Sequence, residues 1–190
     1  MSIEQFLSEQ KDVILKKWFD LILETYPADT AAFLKKQDNR FANPVGHTIH
    51  QGMEQILQGL TGEHTPEQAS EFLDNIIRIR AVQDMTASAA VSFIFSLKDV
   101  VRDTLRTVSK QTMPYEELLA LESRIDRLAL ASFDMFMKCR EKLYDIKANE
   151  MRNMTFRLLQ RVNKMDEGQE NKPDSPDSTS ENVQQNEVTP

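Results

Sequence analysis

The sequence predicts an all-α fold, either globin-like or bundle-like, with a long C-terminal helix. Residues that interrupt helices are absent from two long stretches, because neither proline nor glycine occurs between residues 67 and 113 or between residues 115 and 167. The apolar residues recur at intervals of three and four, which is the spacing of one helical face. The sequence contains no alternating strand pattern bounded by hairpin turns. These observations together favour helices throughout the body.

Six helices are predicted, near residues 3–25, 28–37, 44–60, 66–82, 86–110 and 115–165. Most of them begin where a side chain can accept a hydrogen bond from a free backbone N–H of the first turn. The start signals are Ser2 with Gln5, Asn43 with Pro44, Thr65 with Pro66 and Gln68, and Thr86. The helix over 86–110 is apolar around most of its circumference, so we expect it to be central and heavily buried.

The string RFANPVG at 40–46 has a local structural interpretation. Asn43 caps the next helix, Pro44 occupies its first turn, and Phe41 can pack as a hydrophobic staple. Gly46 permits the close approach of another backbone. A small-molecule pocket between helices at this point is the functional alternative.

The helix over 115–165 carries two apolar stripes in different registers. The first has a heptad-like 3,4 spacing and contains Leu118, Leu121, Ile125, Leu128, Ser132, Met135 and Cys139. That register fails at Lys142, and the second stripe contains Met151, Met154, Leu158, Val162 and Met165. Two interpretations stay open: the second half frays or bends beyond a packed first half, or the helix projects and pairs with a partner chain.

Charge and composition divide the chain into a helical domain over 1–140, an extension of the last helix over 141–165 and a disordered acidic tail over 166–190. The tail carries seven acids and one base, so it accounts for −6 of the net charge of −7. The single cysteine, Cys139, excludes an intrachain disulfide framework and fits a reducing compartment. No signal peptide is recognisable, and no apolar run reaches the roughly 18 residues of a membrane span. We therefore expect a cytoplasmic protein without membrane insertion.

Two polar groups are candidate sites. His47 and His50 lie three apart on one helix face, a spacing at which two histidines can share a metal ion, although core or surface histidines look the same. In RIRAVQD at 78–84, at least one of Arg78 and Arg80 must point outward or be paired. A structural ion pair with Asp84 or Asp38 is one interpretation, and recognition of an anion or a partner is the other.

Other functional classes are disfavoured by what the sequence contains. A run of eight bases and three acids over residues 138–164 makes nucleic-acid binding conceivable, but the tethered acidic tail would compete for the same charges. The sequence has no recognisable nucleophile–base pair, phosphate-binding glycine loop or paired-carboxylate motif. We therefore expect neither an enzyme nor a nucleic-acid-binding protein, and no cofactor.

The strings RFANPVG and RIRAVQD, with Trp18 and TYP at 25–27, resemble one family over about residues 10–110. It is the N-terminal domain of RsbRD-type proteins, co-antagonists of the switch kinase RsbT in bacterial stress signalling. The resemblance implies a helical sensor-like domain rather than an enzyme, and related RsbR sensor domains have a globin-like fold without haem. Such domains usually precede a STAS output domain, to which nothing in this sequence corresponds.

The resemblance implies a signalling module with RsbR-like, stressosome-like regulation through protein–protein contact. Because an apolar face of the last helix has no further domain to cover it, we expect a stand-alone sensor or adaptor. We expect a homodimer, with a STAS-domain protein or a switch kinase as a further possible partner. The residues expected at the interface are Leu118, Leu121, Ile125, Leu128, Met151, Met154, Leu158 and Val162. One alternative is a sensor that binds a small ligand or metal at His47, His50, Arg78, Arg80 and Asp84. Another is an accessory protein of a redox or metabolic complex.

Overall fold

The computed structural model describes residues 2–36, 41–61, 66–83, 85–108 and 114–170, with the backbone alone for 66–70 and 165–170. This part of the chain forms helices and no strand, which confirms the predicted all-α class with a long C-terminal helix. The helices are α1 (Ile3–Glu9), α2 (Lys11–Glu24), α3 (Ala28–Leu34), α4 (Pro44–Leu60), α5 (Pro66–Val82), α6 (Ala87–Val108) and α7 (Tyr115–Glu170). None of these helices is both long enough and apolar enough to cross a membrane.

The predicted helix starts that fall on described residues are confirmed by hydrogen bonds. Ser2 Oγ accepts from Gln5 N at 3.2 Å while the Gln5 side chain accepts from Ser2 N at 3.1 Å, which is a complete capping box. Thr86 Oγ1 accepts from Ala89 N at 3.2 Å. The single helix predicted over 3–25 is wrong, because Gln10 has φ −103° and ψ 12° and separates α1 from α2. Thr65 lies outside the described residues.

The Asn43 side chain connects the end of α3 to the start of α4 by hydrogen bonds. Its Oδ1 accepts from Gly46 N at 2.8 Å, and its Nδ2 donates to the backbone oxygens of Phe33, Leu34 and Lys36 at 2.9, 3.1 and 3.2 Å. A Cβ on Gly46 would lie 2.5 Å from Leu34 O, so the predicted close backbone approach is confirmed. The prediction that Phe41 packs as a hydrophobic staple is wrong, because its side chain is 96% exposed.

Residues 1–145 form one compact unit with a continuous apolar core. Within it α2 packs against α6 and α4 against α5. As expected, α6 is heavily buried, with eight buried residues distributed from Ala90 to Thr104. Within this unit α7 is joined to α6 by an ion pair with two hydrogen bonds, in which Arg102 donates to both carboxylate oxygens of Glu122 at 2.7 Å.

The first apolar stripe of α7 faces this core. Leu121 and Ile125 are buried, and Leu118 and Leu128 are partly buried against the same cluster. The prediction that these four residues form an interaction surface is therefore corrected, since the chain itself covers them. Periodicity revealed the apolar face correctly but could not identify what covers it.

Residues 146–190 form the second unit, of which the helical part to Glu170 is described. Every side chain from 146 to 164 is exposed. The helix includes residues 166–170, which the sequence assigned to a disordered tail, and residues 171–190 lie outside the described residues.

Candidate functional site

The most unusual side chain of the core is Arg80 on α5, which is 0% exposed. Its Nε donates to Ala90 O, and its Nη2 donates to Ala89 O and Thr25 Oγ1, each at 2.9 Å. These acceptors are neutral, and no carboxylate among the described residues forms an ion pair with Arg80. Burial lowers the pKa of Arg80, whereas the charge interaction and the side-chain hydrogen bond with Tyr26 raise it. The core thus contains a cation that lacks a described counter-charge.

Aromatic rings surround the guanidinium. The Arg80 Cζ lies 5.1 Å from the centroid of the Tyr26 ring and 5.5 Å from that of Phe93, which are cation–π distances. Trp18 stacks on Phe93 with ring centroids 6.0 Å apart, and its Nε1 donates to Phe93 O at 2.5 Å. The rings therefore fix the position of Arg80 without neutralising its charge.

Two polar groups of this cluster are weakly satisfied. Arg80 Nη1 and Tyr26 Oη are both buried and face each other, and their contact is close enough to raise the pKa of Arg80 although it lacks the geometry of a full hydrogen bond. The buried Gln83 Oε1 is unpartnered. Because buried polar atoms in folded proteins nearly always have a partner, the Tyr26 hydroxyl, which can accept, is the natural partner of the guanidinium.

Three of the four features that carry the family resemblance, namely Trp18, TYP and RIRAVQD, contribute residues to this cluster. Trp18 belongs to α2, Thr25 and Tyr26 follow α2 directly, and Arg80 belongs to α5. The sequence predicted none of these contacts, because Thr25 and Arg80 are 55 positions apart and no local pattern joins them. We name Trp18, Thr25, Tyr26, Arg80 and Phe93 the Arg80 cluster.

Arg78 behaves differently from Arg80. It is exposed and forms an ion pair with Asp74 at 2.5 Å, so the prediction that at least one arginine points outward or is paired is confirmed. The partners considered in the sequence, Asp84 and Asp38, lie outside the described residues. The spacing of four between Asp74 and Arg78 on one helix was the signal that could have revealed this pair.

The histidines occupy another part of the unit. His50 is half-buried, packs edge-on against Phe19 with centroids 5.2 Å apart, and lines a cleft of about 400 Å³ together with Lys16, Asp12 and Glu54. Burial lowers the pKa of His50, whereas the charge of Glu54 raises it and that of His47 lowers it further. Neither Arg78 nor Arg80 lines this cleft, so the predicted site residues are not brought into one pocket.

The described residues include no group of three or more His, Cys, Asp or Glu side chains placed to hold a metal ion. His47 and His50 are neighbours on α4. His64, the third histidine of the sequence, lies outside the described residues. The arrangement around the histidines is a charged surface cleft, whereas the Arg80 cluster is a buried cation held by neutral acceptors and aromatic rings. Arg80 does not line the neighbouring cleft at Tyr26, so the cluster is a structural centre of the core.

The model of the family described as RsbT co-antagonist protein rsbRD N-terminal domain matches residues 12–151, and no STAS domain is indicated. No curated protein and no solved structure matches the chain. The family is associated with stressosome-related signalling and is not an enzyme family. Because the match covers most of the sequence, the chain belongs to the RsbT co-antagonist protein rsbRD N-terminal domain family.

Proposed function

We propose that this chain is a cytoplasmic sensor or adaptor that transmits a signal through protein–protein contact, with residues 146–164 of α7 as the contact surface. Membership of a signalling family supports the general role. The observation that carries the specific proposal is the exposed apolar stripe of this segment. The exposed fractions of Met151, Met154, Leu158 and Val162 are 69, 63, 59 and 54%. Such a surface is typical of a site that another protein covers.

A second copy of the chain is the occupant that the spacing favours. Ala148, Thr155 and Val162 repeat every seven residues, and Met151 and Leu158 repeat three residues after the first two of them. This is the spacing of the a and d positions of a coiled coil. Thr155 and Val162 at a are β-branched and Leu158 lies at d, which is the combination that favours two parallel helices. Every one of these side chains is exposed. The proposal is therefore a parallel homodimer through this segment.

A partner with an acidic surface is the second candidate, and charge favours it. Residues 146–164 contain one acid, Glu150, and five bases, Lys147, Arg152, Arg157, Arg161 and Lys164. Two copies of a segment with net charge +4 repel each other, whereas an acidic partner attracts it. A separate STAS-domain protein or a switch kinase would be the partner class in keeping with the family.

Sedimentation equilibrium of the full chain at micromolar concentration distinguishes these proposals. We expect a dimer that salt strengthens, because screening reduces repulsion between the two basic helices. The double variant Met151→Ser/Leu158→Ser should be monomeric, and the matched double variant Asn153→Ser/Gln160→Ser on the outer face should remain dimeric. A monomeric wild type at all salt concentrations would rule out the homodimer.

Co-purification from the native host then tests the acidic partner. We expect a captured protein whose binding weakens as salt increases and is lost in Met151→Ser/Leu158→Ser. Capture of a redox or metabolic enzyme instead would support the accessory-protein alternative over the signalling role.

A further inference from the structure

We propose that the acidic segment 171–190 binds back onto a basic flank of α7 formed by Arg157, Arg161 and Lys164. The segment and the flank belong to the same unit of the chain. The chain then carries its own competitor for the partner with an acidic surface that was proposed above. This consequence rests on the proposed function, whereas the binding itself does not.

The three bases of the flank lie on one side of the helix. Arg157 and Arg161 are four positions apart, and Arg161 and Lys164 are three apart, so they are neighbours on the helix surface. At 3.6 residues per turn they fall within about 60° of one another and roughly 130° from the middle of the apolar stripe. All three side chains are exposed. A ligand of the flank therefore leaves the stripe uncovered.

The charges of the flank repel one another, because like charges at this spacing destabilise a helix. No acid lies three or four positions from Arg157 or Arg161, and neither arginine forms an ion pair with a described residue. Lys164 has Glu167 three positions further on, and the side chain of Glu167 lies outside the described residues. The two arginines thus need a counter-charge from beyond their own turn of the helix.

The segment that follows α7 carries the opposite charge. Residues 171–190 have a net charge of −3, whereas residues 146–164 have a net charge of +4. The charged residues of the segment are Asp174, Asp177, Glu181, Glu187 and one base, Lys172. Their attraction to the flank is favoured because a short connection gives a high effective concentration. The compensation is partial, since −3 against +4 leaves +1, so two copies of the helix still repel each other.

The segment is long enough to reach the flank. Arg157 precedes Glu170 by 13 positions, which corresponds to roughly 20 Å along the helix. An extended chain spans up to roughly 3.3 Å per residue, so Asp177 can lie up to about 23 Å from Glu170, and Glu181 still further. Pro173 disfavours continuation of the helix before these acids. Both acids are therefore within reach of all three bases.

Disulfide equilibria in the full chain test the binding. In a Cys139→Ser background, Ser178→Cys places one thiol in the segment, and the second thiol is placed on α7. Gln160→Cys lies within the flank, because it is three positions after Arg157 and four before Lys164. Its matched control is a cysteine at position 163, roughly 130° around the helix from the middle of the flank. The effective concentration of each thiol pair is measured against glutathione on the linked monomer.

At low salt we expect an effective concentration about fivefold higher for Gln160→Cys than for Asn163→Cys, which is the scale of a few exposed ion pairs. Asn163 is the nearer of the two to the segment along the chain, so loop length alone favours the opposite order. The difference should disappear at about 1 M salt, where charges are screened. Equal effective concentrations at low salt would overturn the proposal.

A neutral-segment variant tests the role of the acids, and its substitutions are Asp174→Asn, Asp177→Asn, Glu181→Gln and Glu187→Gln. The fivefold difference should be lost in this variant, and its persistence would also overturn the proposal. The matched control changes the net charge equally at four exposed acids of the compact unit, with Glu9→Gln, Asp29→Asn, Glu71→Gln and Asp134→Asn. This control should retain the difference.

Fluorescence anisotropy with a labelled decaglutamate peptide measures the competition. We expect the neutral-segment variant to bind the peptide about fivefold more tightly than the wild type at low salt, and the control variant to bind as the wild type does. Equal tightening in both variants, or no binding by the neutral-segment variant, would contradict the competition. Failure here is distinguishable from failure of the homodimer, because Met151→Ser/Leu158→Ser alters the stripe and leaves the flank intact.

Discussion

Replacement of Asn43 by alanine tests whether one side chain joins α3 to α4. The variant removes the cap hydrogen bond to Gly46 N and the three hydrogen bonds from Nδ2 to the end of α3. Loss of an asparagine cap costs about 0.5–2 kcal/mol. Leaving the buried carbonyl oxygen of Leu34 without a donor adds roughly 1–3 kcal/mol. We therefore expect a loss of about 1.5–5 kcal/mol in the free energy of unfolding.

Urea unfolding followed by circular dichroism measures this loss. The matched control is Ser2→Ala, which removes one cap hydrogen bond at an exposed helix start and should cost at most about 1 kcal/mol. A loss in Asn43→Ala no larger than that in Ser2→Ala would refute the role of Asn43 as a connection between two helices. It would show instead that water replaces the donor at the end of α3.

Two further predictions concern α7 and α4. Leu121→Ala should lower the free energy of unfolding by about 2–5 kcal/mol, whereas Leu158→Ala should change that of a monomer by less than about 0.5 kcal/mol, because only Leu121 is buried. Equal losses of unfolding free energy in urea titrations of the two variants would contradict the conclusion that the first stripe is buried and the second exposed. For His50, burial lowers the folded-state pKa below the usual 6.5. The unfolded state then binds more protons, so stability present above about pH 6.5 is lost as pH falls toward the folded-state pKa. His50→Gln should flatten this dependence and His47→Gln should retain most of it, whereas an unchanged slope in His50→Gln would exclude His50 as its source.

Local chemistry explains which features the sequence could predict. The caps at Ser2 and Asn43 depend on neighbouring residues, and the sequence identified both. The break at Gln10 has no proline or glycine to signal it. α1 buries Ile3, Phe6 and Leu7 in the core, and tertiary packing of this kind overrides local helix propensity.

The candidate site was less predictable than the fold. RIRAVQD indicated that its two arginines could differ, but only the structure reveals that Arg80 is the buried one. Its partners Thr25, Tyr26 and Phe93 come from distant parts of the chain, and a single sequence carries no signal for such contacts. The exposed stripe was predictable as an apolar face, since periodicity alone defines it.

Disulfide cross-linking of the full chain tests the proposed parallel homodimer most directly. Cys139 is the single cysteine, so a Cys139→Ser background allows one new thiol to be placed at will. In a parallel coiled coil each d position faces its own copy at a distance that a disulfide can span. We predict that Leu158→Cys forms a disulfide-linked dimer rapidly under mild oxidation, whereas Asn153→Cys on the outer face forms it slowly. Equal rates for the two variants, or a monomer in both, would contradict the account.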